Sequence, residues 1–381
     1  MSKRQVAFIA LSISVLILQS CKSDRSGYNL GEIVFSPAHA ARFEIRAAEN
    51  DNTVIRIKDP WQGAEGVEKL IYVSFDGSEA PKGFEGQTVH APVRRAVCMS
   101  SSYVAMFDAL DMGDRICGVS GGGFISSPAV RRGLDSGLVK DVGYESGLDF
   151  ELIASMNPDI VLMYGVADDN GAVARKLEEL GIPYGYIGDY MENSALGKAE
   201  WMVAIGEMCG AREQAEALFE KIAFRYDSVR SLAGGTANRP KVMLNAPYRD
   251  VWFLPAPDSY MVSLLEDAGA ECLAAEGTKN MSLPVSGEKA YTLLLQADVW
   301  LNPGAARSLD ELAAENSRFM DPPPVKNGRV FNNNRRTTEA GGSDFWESGT
   351  VRPDVVLSDL IRILHPELSD STDTYYYMRL E

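Results

Sequence analysis

Apolar residues are spaced in three different ways along this chain. Residues 6–18 form an almost unbroken apolar run just after Lys3 and Arg4. From residue 42 to 75 apolar and polar positions alternate, as in 53–58 and 70–74, and that period predicts strands with one buried face. Pro60 and the glycine-bearing stretch 83–86 read as turns. From residue 95 short apolar runs alternate with segments of helical period. Strands are predicted over 95–99, 115–119, 159–164 and 183–187, with helices over 102–110, 150–156 and 172–180. Such alternation implies a parallel sheet covered on both faces.

Two helices follow in succession. The first covers about 196–208 and is broken by Gly210; the second runs from 211 to about 232. Ala215, Leu218, Ile222, Tyr226 and Val229 form one apolar stripe on the second, at steps of three and four. At ~1.5 Å per residue it is a rod of roughly 33 Å, long enough to join two lobes. Gly234 and Gly235 stop it. The alternation then restarts, with strands over 241–245, 298–301 and 329–331 and helices over 259–268, 287–295, 309–314 and 352–364. The fold class is therefore α/β: two Rossmann-like lobes with central parallel sheets, joined by one long α-helix, plus an N-terminal β element. The expected divisions are a signal segment 1–20, a tether and β element 21–92, a first lobe 93–195, a helical linker 196–235 and a second lobe 236–381.

The first apolar run is too short to stay in a bilayer as a helix, but has the length of a signal-peptide core. It ends in Leu18, Gln19, Ser20 and Cys21, which resembles a bacterial lipoprotein signal. The resemblance implies cleavage before Cys21, lipid on its sulfur, and residence in the cell envelope, tied to a membrane through that lipid. An ordinary secretory signal with a chance cysteine is the alternative. No clear acidic sorting signal follows Cys21, so either membrane, or the cell surface, is open.

The chain has 381 residues, 45% hydrophobic and 24% charged, enough for about two ordinary domains with large cores. Its net charge is −16, and loss of residues 1–20, which hold Lys3 and Arg4 but no acid, takes it to −18. That charge argues against nucleic acid as a partner and against an electrostatic grip on anionic lipid. No second apolar segment is long enough to span a membrane. Cys98, Cys117, Cys209 and Cys272 are scattered in apolar contexts and read as buried free thiols. His39, His90 and His365 share no ligand spacing, so neither a resident metal nor a cofactor is expected.

Several segments resemble the periplasmic substrate-binding proteins of ABC importers for iron complexes, haem and cobalamin. They are the strand and serine loop 95–100, the stretch 110–119, and Val142 and Gly143 followed by 148–159, which ends Met156, Asn157, Pro158, Asp159. Leu180, Gly181, Ile182 and Pro183 also fit, and the resemblance spans about 95–364. It implies a monomer that takes a small-molecule metal chelate between its lobes and delivers it to an ABC permease. The element before residue 92 has no counterpart in the compact members of that family.

In open parallel sheets ligands bind beyond the carboxyl ends of the strands. The loops expected there carry Ser101, Tyr103, Phe124, Tyr144, Tyr164 and Tyr190 in the first lobe. In the second they carry Tyr248, Trp252, Asn302, Arg335, Arg336 and Trp346. Aromatic and amide side chains suit a large, flat or amphipathic ligand. Arg335 and Arg336 suit the carboxylates or catecholates of a ferric chelate, or are a solvated surface pair. Where cobalamin binders of the family place a tryptophan before a Pro-x-Val-Ser-x-Glu stretch, this chain has Leu283, which weakens a corrinoid assignment. Glu151 and Glu288 match the glutamates, one per lobe, that pair with permease arginines in the family. Stabilisation of a helix's first turn is their alternative role.

Two other functions compete. Gly118, Ser120 and Gly122 match the Gly-x-Ser-x-Gly of a hydrolase elbow. Gly121, Gly122, Gly123 and Pro128 resist the helix that must follow the serine at once, and only His365 lies downstream of them. The other is a lipoprotein that captures a ligand and passes it on without an importer.

Overall fold

The computed structural model describes residues 28–144, 147–165, 170–248, 251–277 and 282–381. The signal segment, Cys21 and most of the expected tether lie outside the described residues, as do Glu145, Asn280 and Met281, which the sequence places on loops beyond the strands.

The alternating region folds as a five-stranded sheet in chain order: β1 (Ile33–Phe35), β2 (Phe43–Ala47), β3 (Thr53–Lys58), β4 (Glu68–Ser74) and β5 (Gln87–His90). The first four are antiparallel and β5 joins β4 in parallel. Phe43, Ile45, Ile55, Ile57, Ile71 and Val73 go to the core on one face. The opposite face holds a small apolar cluster of Val54, Leu70 and Tyr72 beside a charged one, in which Glu44 is surrounded by Arg46, Arg56 and Lys58. Bonds from Lys58 and Arg46 outweigh the cost of its burial and hold its carboxyl down at about 2.

The first lobe comprises β6 (Ala96–Cys98), α1 (Ser101–Ala109), β7 (Ile116–Val119), α2 (Pro128–Ser136), β8 (Lys140–Asp141), α3 (Phe150–Ser155), β9 (Ile160–Met163), α4 (Asn170–Glu179) and β10 (Tyr184–Tyr186). Its strands lie in the order β10-β9-β6-β7-β8, all parallel. The predicted helix at 196–208 is two: α5 (Ala195–Glu200) and α6 (Met202–Met208). They part at Trp201, which is fully buried against Phe43 while its Nε1–H donates to Glu192. Then α7 (Arg212–Ala233) runs for 22 residues and buries Ala215, Phe219, Ile222, Tyr226 and Ala233.

The second lobe follows: β11 (Lys241–Leu244), β12 (Pro247–Tyr248), β13 (Val251–Leu254), α8 (Tyr260–Asp267), β14 (Glu271–Cys272), β15 (Leu283–Ser286), α9 (Gly287–Leu294), β16 (Val299–Leu301), α10 (Leu309–Asn316), α11 (Pro323–Lys326), β17 (Val330–Asn332), α12 (Ser348–Val351), α13 (Pro353–Leu364) and β18 (Met378–Arg379). Its main sheet, β14-β11-β16-β17-β18, is parallel except for the antiparallel edge β18. A second, three-stranded antiparallel sheet, β12-β13-β15, holds Tyr248 and Trp252, which corrects their expected place on a strand-end loop. α13 packs back along α7, and one core runs through both lobes and the inner face of the N-terminal sheet. Cys98, Cys117 and Cys209 are buried and Cys272 half-buried; all four are free thiols.

Candidate functional site

The carboxyl ends of the parallel strands in both lobes carry the loops that the sequence singles out. Beyond β7, Gly121 takes a left-handed turn at φ 67° and a short helical turn lifts Phe124 to the surface, 47% exposed. Its ring meets that of Tyr144, beyond β8 and 52% exposed, edge to face at 6.3 Å. Beyond β9, Tyr164 is half-buried. Beyond β10, Tyr190 is partly exposed, and its hydroxyl donates to the Gly165 carbonyl. Burial raises the pKa of that phenol. Ser101 starts α1 and is half-buried behind the N-cap Ser100, whose hydroxyl accepts from the Ser102 N–H.

In the second lobe Trp346 is 49% exposed, its ring set against Phe345 at 4.7 Å. Asn302, at φ 57°, is buried at the end of β16 and its Oδ1 has no hydrogen-bond partner among the described residues. Tyr248 lies on β12, and its side chain is outside the described residues.

Two predicted ligand residues belong to the core instead. Tyr103 is fully buried and donates to the Ile187 carbonyl at 3.0 Å. It sits on the inward face of α1, where the helical turn carries it under the loop rather than into it. Trp252 is also fully buried. It packs between Trp300 and Phe319, and its Nε1–H reaches the Leu244 carbonyl at 2.8 Å. Alternation along β13 sends Trp252 inward and leaves Phe253 exposed.

The lobes face one another across a cavity of about 610 Å³. Lobe one contributes Ile125, Ser126 and Arg131; lobe two contributes Arg307, Arg335, Arg336, Thr337, Thr338, Glu339 and Asp344. Four guanidinium groups thus meet two carboxylates, inside a chain of net charge −16. Among the described residues only Arg336 is paired, with Asp344 at 2.9 Å, and it also lies 4.5 Å over the Tyr375 ring. Arg131, Arg307 and Arg335 have no carboxylate partner among the described residues; they rest on the Gly122 carbonyl, the Asn334 carbonyl and the Thr374 hydroxyl. Cationic groups held by neutral oxygens keep most of their charge for an incoming anion.

Arg131 and Arg307 escaped the sequence reading. Pro128 looked like a helix breaker, but it is the first residue of α2, and Ser127 caps that helix. A serine followed by proline is a helix-start signal, and it places Arg131 in the first turn. Glu347 was also missed. Its carboxylate accepts from the Ser126 and Ser127 backbone N–H groups, each at 2.6 Å, and so fastens lobe two to the start of α2. Burial pushes its pKa up to about 7, against the pull of those two bonds.

Glu151 and Glu288 both stand exposed in the first turns of α3 and α9. The capping work there falls to other residues: Asp149 accepts from the Leu152 N–H and Ser286 from the Lys289 N–H. The hydrolase constellation is not assembled. The Ser120 hydroxyl donates to the Gly143 carbonyl at 2.8 Å. The His365 ring lies against the Gly269 carbonyl and Glu367.

Comparison with known proteins places this geometry. A lipoprotein of Methanocaldococcus jannaschii, itself uncharacterized, is 28% identical over 306 residues, covering 77% of this chain and 70% of its own. A periplasmic haem-binding protein from Pseudomonas aeruginosa superposes with TM-score 0.58 at 18% identity, over 76% of this chain and 98% of that one. A periplasmic vitamin B12-binding protein of Vibrio cholerae does so with TM-score 0.52 at 14% identity, over 74% and 99%. These two share the fold. Residues 96–335, which hold most of the first lobe, the long helix and three of the four arginines of the cavity, match the family model described as periplasmic binding protein, and the chain belongs to that family.

Proposed function

We propose that this protein captures an anionic metal chelate, a haem or a ferric siderophore, in the cavity between its lobes and delivers it to an ABC permease. The observation that carries this reading is the cluster of Arg131, Arg307, Arg335 and Arg336 around about 610 Å³ in an otherwise acidic protein. The volume lies in the usual range for small-molecule sites. Phe124, Tyr144 and Trp346 supply exposed aromatic faces for the apolar part of such a ligand. Solved proteins of the same fold bind haem or vitamin B12. Binding is non-covalent, and the rigid rod of α7 restricts the lobes to small relative motions.

A lipid on Cys21 would keep the protein at a membrane of the cell envelope and raise its concentration near the permease; the lipoprotein status of its relative supports this. Glu151 and Glu288 are the docking residues, one on each lobe, and exposed carboxylates on two lobes can register a partner bearing matched arginines.

Titration with haemin, ferric enterobactin and cyanocobalamin, followed by tryptophan fluorescence, tests the ligand class. Haemin or ferric enterobactin should bind, and Arg131→Ala, Arg307→Ala and Arg335→Ala should each weaken it about tenfold or more, since a charge-assisted bond is worth about 1.5–3 kcal/mol. Binding of cyanocobalamin alone, untouched by those changes, would instead support the corrinoid alternative. The double variant Glu151→Ala/Glu288→Ala should keep its ligand affinity and lose uptake in cells. Normal uptake by that variant refutes docking through these residues.

A further inference from the structure

The N-terminal sheet lies wholly before the residues matched by the family model, and the haem- and vitamin B12-binding structures leave about a quarter of this chain uncovered. It is nevertheless fastened to lobe one and to the two helices after it by a run of buried and half-buried bonds. Glu200 accepts from the backbone N–H groups of Ala38, His39 and Ala40 at 2.7–2.8 Å, and Glu192 from those of Ala41 and Arg42. Thr53 donates to Glu207 at 2.6 Å. These seams join the sheet to α5 and α6, on which it rests.

A further seam lies elsewhere. The loop 59–67, between β3 and β4, reaches the carboxyl end of β9, where Trp61 bridges to Gly165 in parallel strand fashion. The approach is so close that a side chain at Gly165 would collide with the Cβ of Trp61. The Trp61 indole packs on Tyr186 at 5.2 Å. The loop is itself well defined: the Asp59 N–H donates to the Val67 carbonyl and the Val67 N–H to the Asp59 carboxylate. Arg42 ties it to the loop after β10, donating to the carbonyls of both Asp59 and Met191. Between these two attachments stands Tyr190. Its hydroxyl is held by the Gly165 carbonyl, and its ring remains partly exposed at the ligand end of lobe one.

We propose that the N-terminal sheet is a working part of the ligand site: Trp61 and Arg42 are positioning residues that fix Tyr190 as an aromatic ledge on the rim of lobe one. The hydroxyl is already engaged, so the ledge offers a ring face, not a phenolate, to a flat or aryl portion of the ligand. This rests on the reading that the ligand occupies the space between the lobes.

Hydrogen–deuterium exchange of the ligand-free protein tests the buttress by itself. Trp61→Ala should speed exchange in peptides spanning 184–192 at least tenfold, Trp61→Phe should restore the slow rate, and unchanged exchange in Trp61→Ala overturns the proposal. Affinity for haemin then tests its role in binding. Trp61→Ala and Tyr190→Ala should each weaken haemin about tenfold, and the double variant no more than either alone, because both act through one ring. Haemin bound as tightly by Trp61→Ala as by the natural chain, or losses that multiply, overturns the ledge. A natural chain that binds neither haemin nor ferric enterobactin refutes the anionic-chelate function, and the exchange result still decides the buttress.

Discussion

Replacing Glu347 with glutamine should change how the stability of this protein depends on pH. The carboxylate is 2% exposed and bridges the lobes through the N–H groups of Ser126 and Ser127. Burial dominates its titration, Asp344 and Asp108 add to the effect, and the carboxyl is lifted from 4.5 to about 7. Between those values the folded protein holds a proton that the unfolded chain has released. Stability therefore falls as pH rises through 4.5–7 and levels off above, by about 3 kcal/mol in all. Glutamine keeps the shape without the charge. Its carbonyl still accepts from one backbone N–H, but its amide group faces the other, which costs about 1–3 kcal/mol. Glu347→Gln should thus be the less stable protein at pH 5, and should draw level with the natural chain, or pass it, by pH 8. Urea unfolding at pH 5, 6, 7 and 8, subtracted between the two proteins, isolates this one group from the other acids. Stability curves that stay parallel within about 0.5 kcal/mol refute the argument. A natural chain that gains on the variant as pH rises shows that the two N–H bonds outweigh burial.

Two further outcomes follow from the packing. Trp252→Phe should lower stability by about 1–3 kcal/mol, through the lost bond to Leu244 and the smaller ring, yet leave haemin affinity unchanged; a tenfold loss of affinity in the folded variant would return Trp252 to the binding site. Glu200→Ala strips the acceptor from three backbone N–H groups at 38–40, so limited proteolysis should cut the junction between the N-terminal sheet and α5 faster than in the natural chain, and equal cleavage rates count against that clamp.

Much of the architecture was legible because it is written in local periods. Alternation at 53–58 predicts a strand, and it is β3, with Ile55 and Ile57 in the main core and Val54 in a smaller apolar cluster on the other face. The stripe on α7 marks its buried face, although Phe219 proves more deeply buried than Leu218, since a helix with a broad apolar face can turn slightly about its axis. The candidate site was less legible. Tyr103 and Phe124 looked equivalent in sequence, both aromatic and both just beyond a strand. One is fully buried and the other 47% exposed, because helical phase turns the first inward while the glycine turn at Gly121 lifts the second out.

The sequence by itself determined the two α/β lobes and the long helix between them. Hydrophobic period and helix breakers act over a few residues, and their effect survives in any context. Tertiary structure alone decided which charges meet. Arg131 and Arg335 are 204 positions apart, and Glu347 lies more than 200 residues from the N–H groups it holds. Their proximity depends on how α7 and α13 pack the lobes together, and no local pattern carries that information. The same holds for Trp61, whose partner Gly165 is set by the docking of a whole sheet against lobe one.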